Sequence, residues 1–422
     1  MRDAGDGRDE RVRIPGTDRV RRRREAQDRL TSAPMSLRTA VALVLATAAV
    51  VVVSVHSSTA ADLRHAPTRA AMEDLVERER VPGVLARAED DGEGWHDAAG
   101  VADRATGRER RPADRFRIGS ITKTFVATVL LQLEAEGRLD LDDPVAAHLP
   151  GVVRGHGNDG RRVTVRRLLN HTSGIHDFTH DPAFRARYLS GRFLDHRFDT
   201  RTARELVRIA MRYPPAFRPG TGWAYSNTNY VLAGMVVEAV TGRSYARQIE
   251  QRVLVPLGLR RTTLPGTAAT LPRPHGRAYS TFYRGRPDEG RGRPVRDVTA
   301  LDPSVAGASG EMISTAGDLL TFFRALLGGG LLPAEQLAEM TDTVPTSGSL
   351  RGRSDRYGLG IRARELPCGT TVWGHVGDIH GSLSTVAATR DGGHAAAFNL
   401  NADWAPHGTG ALLEAEFCAD AS

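Results

Sequence analysis

The chain predicts an α+β fold: an antiparallel sheet built from both chain ends and flanked by helices, with a mostly helical domain inserted between the two contributions. Three observations predict it. Short extended segments cluster on either side of residue 91, a second set punctuated by glycine-rich turns follows residue 355, and helical periodicity dominates the stretch between them. Strands from both ends satisfy their backbones by pairing in one sheet, which the intervening helices then cover.

The elements follow in order. Residues 68–80 read as a helix that Val81-Pro82-Gly83 ends, a breaker followed by a permissive glycine. Segments 83–89 and 95–103 flank Asp90-Asp91-Gly92-Glu93-Gly94 and predict a β-hairpin. A helix opening at Ser120 carries Ile121, Phe125, Val129 and Leu133 every four residues, and Gly137 closes it. Helical patterning with long loops continues to about residue 332, interrupted by a Pro-, Gly- and Arg-rich stretch at 264–297 that predicts a mobile surface excursion. Segments 356–363, 371–379, 381–390 and 394–401 predict consecutive antiparallel strands, and 408–417 an amphipathic helix packed on them. The expected division is a tail at 1–61 and a folded domain at 62–422. Within that domain the sheet part covers about 66–119 and 340–422, and the helical part about 120–339.

The 422 residues carry a formal net charge of +7, but the first 35 hold 10 Arg against 7 acidic residues, including the run Arg21 to Arg24. Elsewhere the charges are interspersed, which predicts a solvated surface and no nucleic-acid partner. Residues 39–55 are an unbroken apolar run preceded by Arg38 and followed by Ser58-Thr59-Ala60-Ala61, the pattern of a secretory signal peptide. A retained membrane anchor is the alternative, although the run is shorter than the about 20 residues a span needs. Met35 stands where a signal peptide of ordinary form would begin. Export would carry Cys368 and Cys418, the only two cysteines, into an oxidising compartment and predicts a disulfide between them. On the chain-entropy account, closing that loop contributes roughly 4 kcal/mol.

Among 57 basic residues Lys123 is the only lysine. Arginine serves wherever a positive charge suffices but does not give up its proton, whereas a desolvated lysine does, so this residue is a candidate proton-transfer group. It lies three residues after Ser120, on the same face of one helical turn, where a neutral amine would activate the hydroxyl. The helix N-terminus adds positive potential and a backbone N–H beside the serine. Two further patterns stand downstream. Tyr225-Ser226-Asn227 offers a phenol for proton transfer and an amide to hold a carbonyl, and Gly374-His375-Val376-Gly377 offers a strand that a ligand approaches closely, with the Asp378 N–H completing an oxyanion site.

In this order, S-x-x-K, Y-S-N and H-x-G resemble the penicillin-recognising serine hydrolases, in the branch holding class C β-lactamases and low-mass D-alanyl-D-alanine carboxypeptidases. Leu168-Leu169-Asn170-His171-Thr172-Ser173-Gly174, Pro256-Leu257-Gly258-Leu259, Ser314-Thr315-Ala316-Gly317-Asp318 and Tyr357-Gly358-Leu359-Gly360 look like landmarks of the same family, from about residue 66 to the end. The resemblance implies a β-lactamase/transpeptidase-like fold and an exported, penicillin-binding D-alanyl-D-alanine carboxypeptidase acting on peptidoglycan peptides through a Ser120 acyl-enzyme. It implies that Lys123 and Tyr225 handle the proton and that Asn227 holds the substrate amide. The N–H groups of Ser120 and Asp378, beside Gly377, would hold the oxyanion, while His375 and Arg362 would meet the substrate carboxylate. The cysteine pair also matches the secreted members. No cofactor and no metal are implied. The expected partner is a small peptide ending in D-Ala-D-Ala or a β-lactam, bound by a monomer that meets membrane only through an uncleaved N-terminal signal.

Two positions depart from the carboxypeptidase pattern, which has threonines where this chain has Val376 and Asp378. Valine gives no donor and aspartate adds negative charge, so β-lactamase, esterase or amidase activity on the same scaffold is the alternative, ahead of a catalytically silent binding protein. His171, His176 and His180, with Asp177 and Asp181, sit on a loop and are not read as a metal site. The chain has neither H-E-x-x-H nor G-x-S-x-G, which sets aside zincins and the usual α/β-hydrolases.

Overall fold

The computed structural model describes residues 63–90, 92–282, 293–346 and 355–419. The apolar run at 39–55, its small-residue flank and Asp91 of the hairpin turn lie outside the described residues. No described helix is long and apolar enough to cross a membrane.

Helix α1 (Ala66–Glu77) precedes strands β1 (Gly83–Asp90), β2 (Glu93–Asp103) and β3 (Arg108–Glu109). Helices α2 (Thr122–Ala135), α3 (Asn227–Thr241) and α4 (Ala316–Leu327) belong to the inserted stretch, along with several shorter helices. The chain then returns as β4 (Val344–Pro345), β5 (Asp355–Tyr357), β6 (Arg362–Glu365), β7 (Thr371–Ile379), β8 (Ser382–Ala388) and β9 (Ala395–Leu400), and ends in α5 (Gly408–Phe417). These strands form one nine-stranded sheet in the order β4-β5-β6-β7-β8-β9-β1-β2-β3, every neighbour antiparallel. The two chain ends meet where β9 pairs with β1, Leu400 opposite Val84 and Ala395 opposite Glu89. Strands β8 and β9 are buried along their whole length because α5 covers one face and α4 the other, while α1 packs on β1, β2 and α5. Ala395, Ala396 and Ala397 keep β9 thin enough for a helix layer on each side.

The helix expected at 68–80 begins two residues earlier, with Pro67 in its first turn, where the missing N–H costs nothing. Ile121, Phe125, Val129 and Leu133 are fully buried as their spacing predicts, but α2 buries its other faces too, including Lys123 and Thr124. The single strand expected at 356–363 is instead two, β5 and β6. Between them the chain dips against the helical core: a side-chain carbon on Gly358 would lie 2.2 Å from the Met340 carbonyl oxygen, and one on Gly360, whose φ is +75°, would lie 2.6 Å from Ala127 Cβ. The excursion expected at 264–297 is pinned in its described part. Tyr279-Ser280 pairs with Arg296-Asp297, and the buried Tyr279 accepts a 2.8 Å hydrogen bond from the Arg104 N–H at its hydroxyl. Residues 283–292 of that stretch lie outside the described residues.

Cys368, in the turn between β6 and β7, is bonded to Cys418 just past α5, with Cα atoms 5.7 Å apart across a sequence separation of 50. The bridge fixes the last helix to the sheet it covers.

Candidate active site

The turn that bears Ser120 is a single 3₁₀ turn, Gly119–Ile121, leading into α2. Gly119 has φ +51°, and a side-chain carbon there would lie 2.7 Å from the Asp378 backbone nitrogen. A side chain is equally impossible at Gly377, where it would lie 1.9 Å from the Ile118 carbonyl oxygen. These two glycines let β7 run against the turn, which places the Asp378 backbone nitrogen against Gly119, the residue before Ser120. The turn is locked from below: the Thr122 hydroxyl donates to the Gly119 carbonyl at 2.7 Å and accepts from the Met312 N–H at 3.2 Å, and the Ser382 hydroxyl donates to the Arg117 carbonyl at 2.7 Å.

Lys123 is fully buried, and its Nζ lies 2.9 Å from Ser120 Oγ, 2.9 Å from Asn227 Oδ1 and 2.7 Å from the Ser309 carbonyl oxygen. Burial lowers its pKa to about 7, with the Asp177 carboxylate pulling the other way. Near neutrality the amine therefore exchanges between a cation that donates to all three oxygens and a base that keeps a lone pair for the Ser120 proton. The Tyr225 ring centroid lies 4.9 Å from Nζ. Burial holds the phenol protonated well above its ordinary range, while its contact with Ser120 works in the opposite sense. Serine, amine and phenol thus lie close enough together that this arrangement can pass a proton among them.

Asn227 opens α3, and its amide orientation is fixed from both ends: Oδ1 accepts from Lys123, and Nδ2 donates to the buried Asp177 carboxylate at 2.9 Å. Asp177 enters the sequence pattern only through the metal grouping of the 171–181 loop, and no motif points to Ser309. Neither has a local signal, because one acts 50 residues away through an amide and the other through a backbone carbonyl. His171 is also part of this centre. It is buried, its Nδ1 accepts from the Ser226 N–H at 3.2 Å, and its ring lies 4.3 Å from that of Tyr225. Burial, with Lys123 and His375 adding repulsion, keeps the imidazole neutral, so its role is to seat the Tyr225 loop. His176 stacks on Tyr213 instead, at 4.2 Å, and among the described residues no three His, Cys, Asp or Glu side chains converge as metal ligands.

The two groups assigned to a substrate carboxylate are engaged elsewhere. His375 is buried and donates from Nδ1 to the Val376 carbonyl at 2.6 Å, which leaves Nε2 to accept from the Tyr357 hydroxyl at 2.8 Å. Burial and the nearby Lys123 push its pKa well below the usual value, so it offers no positive charge. Arg362 is ion-paired with Asp355, which is buried.

In front of Ser120 opens a pocket of about 260 Å³ whose walls include Phe178, Phe184, Tyr188, Leu301, Val305 and Ile379, with Tyr225 and Asn227 at the reaction centre. Among its described lining residues the exposed Asp378 is the only Asp, Glu, Lys or Arg.

The Beta-lactamase family profile matches residues 68–416. Penicillin-binding protein 4 of Amycolatopsis lactamdurans is 32% identical over 271 residues, 64% of this chain, and the match spans 65% of that protein's length. Esterase EstB of Burkholderia gladioli is 31% identical over 339 residues, 73% of this chain and 84% of that one. Among solved structures, a D-stereospecific amidohydrolase from Streptomyces sp. superposes with a TM-score of 0.78 at 54% identity, covering 84% of this chain and 98% of its own.

Proposed function

Because the chain belongs to the beta-lactamase family of penicillin-recognising serine hydrolases, we propose that it is an amidohydrolase that cleaves small D-amino-acid amides with apolar side chains through an acyl-enzyme on Ser120. The observation that carries this reading is the make-up of the pocket. Its walls are largely apolar and aromatic, and no Lys or Arg stands among its described lining residues to meet a peptide's terminal carboxylate, with Arg362 paired to Asp355 and His375 neutral. The 54% identity to a D-stereospecific amidohydrolase supports the choice of enantiomer.

In this reading the scissile carbonyl oxygen lies between the N–H groups of Ser120 and Asp378. Neutral Lys123 takes the Ser120 proton as Oγ bonds to the carbonyl carbon, and the oxyanion forms between those two donors. Tyr225 gives a proton to the leaving nitrogen and recovers one from Lys123, so the C–N bond breaks as the amine departs neutral. Water then attacks the ester and loses its proton to the same pair, and Ser120 leaves with that proton restored. Asn227 Nδ2 carries a second hydrogen besides the one given to Asp177, which holds the carbonyl-side group of the substrate.

Ester cleavage is the second reading, favoured by the 31% identity to EstB and by a leaving alkoxide that depends less on Tyr225. The carboxypeptidase reading is weakened by Val376 and Asp378, which stand where carboxylate donors would be needed. We also place the protein outside the cytoplasm, with 39–55 as its export signal. The Cys368–Cys418 bridge, which an oxidising compartment sustains, supports that placement.

The test is ammonia release from D- and L-phenylalaninamide by the full chain, beside Ser120→Ala, with diacetyl-Lys-D-Ala-D-Ala as the competing substrate. Release from the D-amide alone, abolished in the variant, is the expected result. D-alanine release from the peptide with no cleavage of the amide would return the carboxypeptidase.

A further inference from the structure

We propose that Asn399 is a positioning residue for the nucleophile: held in one orientation by Arg110, it directs the Ser382 hydroxyl onto the Arg117 carbonyl and so fixes the turn that carries Ser120. The proposal concerns the serine itself and holds whichever acyl donor the site takes.

Asn399 is fully buried on β9, opposite Ser384 of β8, and Ser382 stands two residues along β8 on the same face. A side-chain amide in such a place costs free energy unless its oxygen and its nitrogen are both hydrogen-bonded, and here both are. Arg110, the residue after β3, is buried too. Its Nη2 donates to Asn399 Oδ1 at 2.6 Å, and its Nη1 donates to the backbone carbonyls of Asn399 at 3.0 Å and Gly83 at 3.2 Å. Burial brings its pKa down to about 10, so at neutral pH it is still a cation.

A guanidinium only donates, and this decides the direction of every proton that follows. Oδ1 must face Arg110, so Nδ2 faces β8, where it donates to Ser382 Oγ at 2.9 Å, Ser384 Oγ at 3.1 Å and the Leu383 carbonyl at 3.2 Å. Because Ser382 Oγ accepts from the amide, its own proton goes to the Arg117 carbonyl, 2.7 Å away. The same peptide group is held at its other end by the Ile118 N–H, which donates to the Met312 carbonyl at 2.9 Å. That peptide leads directly into Gly119 and Ser120, so its rotation would swing the serine relative to Lys123 Nζ and the Asp378 backbone nitrogen. A displacement of about 1 Å at a reacting group costs about 100-fold, and the loss of one of several bonds on this turn is expected to cost about tenfold.

The test reads the serine directly, as the second-order rate at which diisopropyl fluorophosphate labels Ser120 on the full chain, followed by intact mass; the Oγ–P bond forms as fluoride leaves. The rate constant comes from the time course, so unfolded protein lowers only the end point. Asn399→Asp keeps the shape and gives Arg110 an ion pair, but a carboxylate cannot donate, so it draws the Ser382 proton off the Arg117 carbonyl. Ser382→Ala removes that bond outright. Ser384→Ala removes an equally buried acceptor of the same amide, one that makes no hydrogen bond to the Ser120 turn among the described residues. Asn399→Asp and Ser382→Ala are each expected to slow labelling about tenfold, with the double variant no slower than Ser382→Ala, while Ser384→Ala labels at the wild-type rate although its urea midpoint falls. Wild-type rates in Asn399→Asp and Ser382→Ala, or a loss in Ser384→Ala as large as theirs, overturn the proposal. Ammonia release from D-phenylalaninamide is followed in parallel; its absence in the wild type sinks the amidohydrolase reading and leaves the labelling comparison to decide on Asn399.

Discussion

Lys123 is where the chemistry of a single residue is most exposed to measurement. A base must be neutral to accept the Ser120 proton, and burial brings the Lys123 pKa down to about 7 from its usual 10.5. The deprotonated form is therefore present above about pH 7 and lost below it, so kcat/KM is expected to rise through an acid limb near pH 7, measured on an uncharged ester to keep substrate titration out of the profile. Lys123→Arg should remove that limb together with the activity, because guanidinium keeps its proton. Asp177 tests the same group from behind. Its carboxylate favours the protonated amine, so in Asp177→Asn the acid limb should move to lower pH, while the plateau falls because Asn227 loses the partner that fixes its amide. A plateau loss with an unmoved limb would mean that Asp177 acts by packing alone. The serine, lysine and tyrosine were legible in the sequence because their chemistry follows from residue type, and the first two also share one helical turn. Asp177, Ser309 and the capture of Arg362 by Asp355 were not, since each depends on which side chains the fold brings alongside.

At the scale of elements, the last helix is held by more than its apolar face. The Glu416 carboxylate is buried on α5 and accepts from the Thr68 hydroxyl at 2.7 Å. It also meets His65 Nδ1 at 3.1 Å and His394 Nε2 at 3.0 Å, so it joins α1, α5 and the turn before β9. Burial alone would raise its pKa, but hydrogen bonds from His394, His65 and Thr68 outweigh it and hold the group at about 2. A carboxyl depressed from 4.5 contributes stability that is complete above about pH 4.5 and fades as pH falls toward 2, on the order of 3 kcal/mol in total. Glu416→Gln is therefore expected to lower the urea midpoint at pH 7 and to flatten stability between pH 4.5 and 2, read by circular dichroism. Reduction of Cys368–Cys418, which ties the same helix, should cost up to about 4 kcal/mol, and less than additively with Glu416→Gln because both changes free one element. The strands and helices themselves were largely legible: 371–379 and 408–417 are the observed bounds of β7 and α5. The split of 356–363 was not, because Gly358 and Gly360 are small for the sake of Met340 and Ala127, which no local pattern reveals.

For the whole molecule, the site lies where the sheet meets the inserted helical stretch, and neither half builds it alone. Ser120 comes from the 3₁₀ turn that leads into α2, Lys123 from the start of α2, Asn227 from the start of α3 and Asp378 from β7. The pocket wall is divided in the same way, with Phe178, Phe184, Tyr188, Leu301 and Val305 from the inserted stretch and Ile379 from the sheet. A wall of that kind removes apolar substrate surface from water without a polar group to satisfy, at about 0.8 kcal/mol for each methylene buried. Exchanging the acyl side chain of D-alaninamide for that of D-leucinamide adds three carbons, so kcat/KM is expected to rise by about 50-fold. D-aspartamide, whose side chain would bring a carboxylate into the same pocket, should be the poorest of the series. Val305→Trp fills the space from the helical side and is expected to compress the alaninamide-to-leucinamide gap toward unity, read as a ratio of kcat/KM values within one preparation so that loss of active protein cancels. If the gap survives in that variant, the acyl side chain lies outside the pocket and the apolar wall belongs to the leaving group.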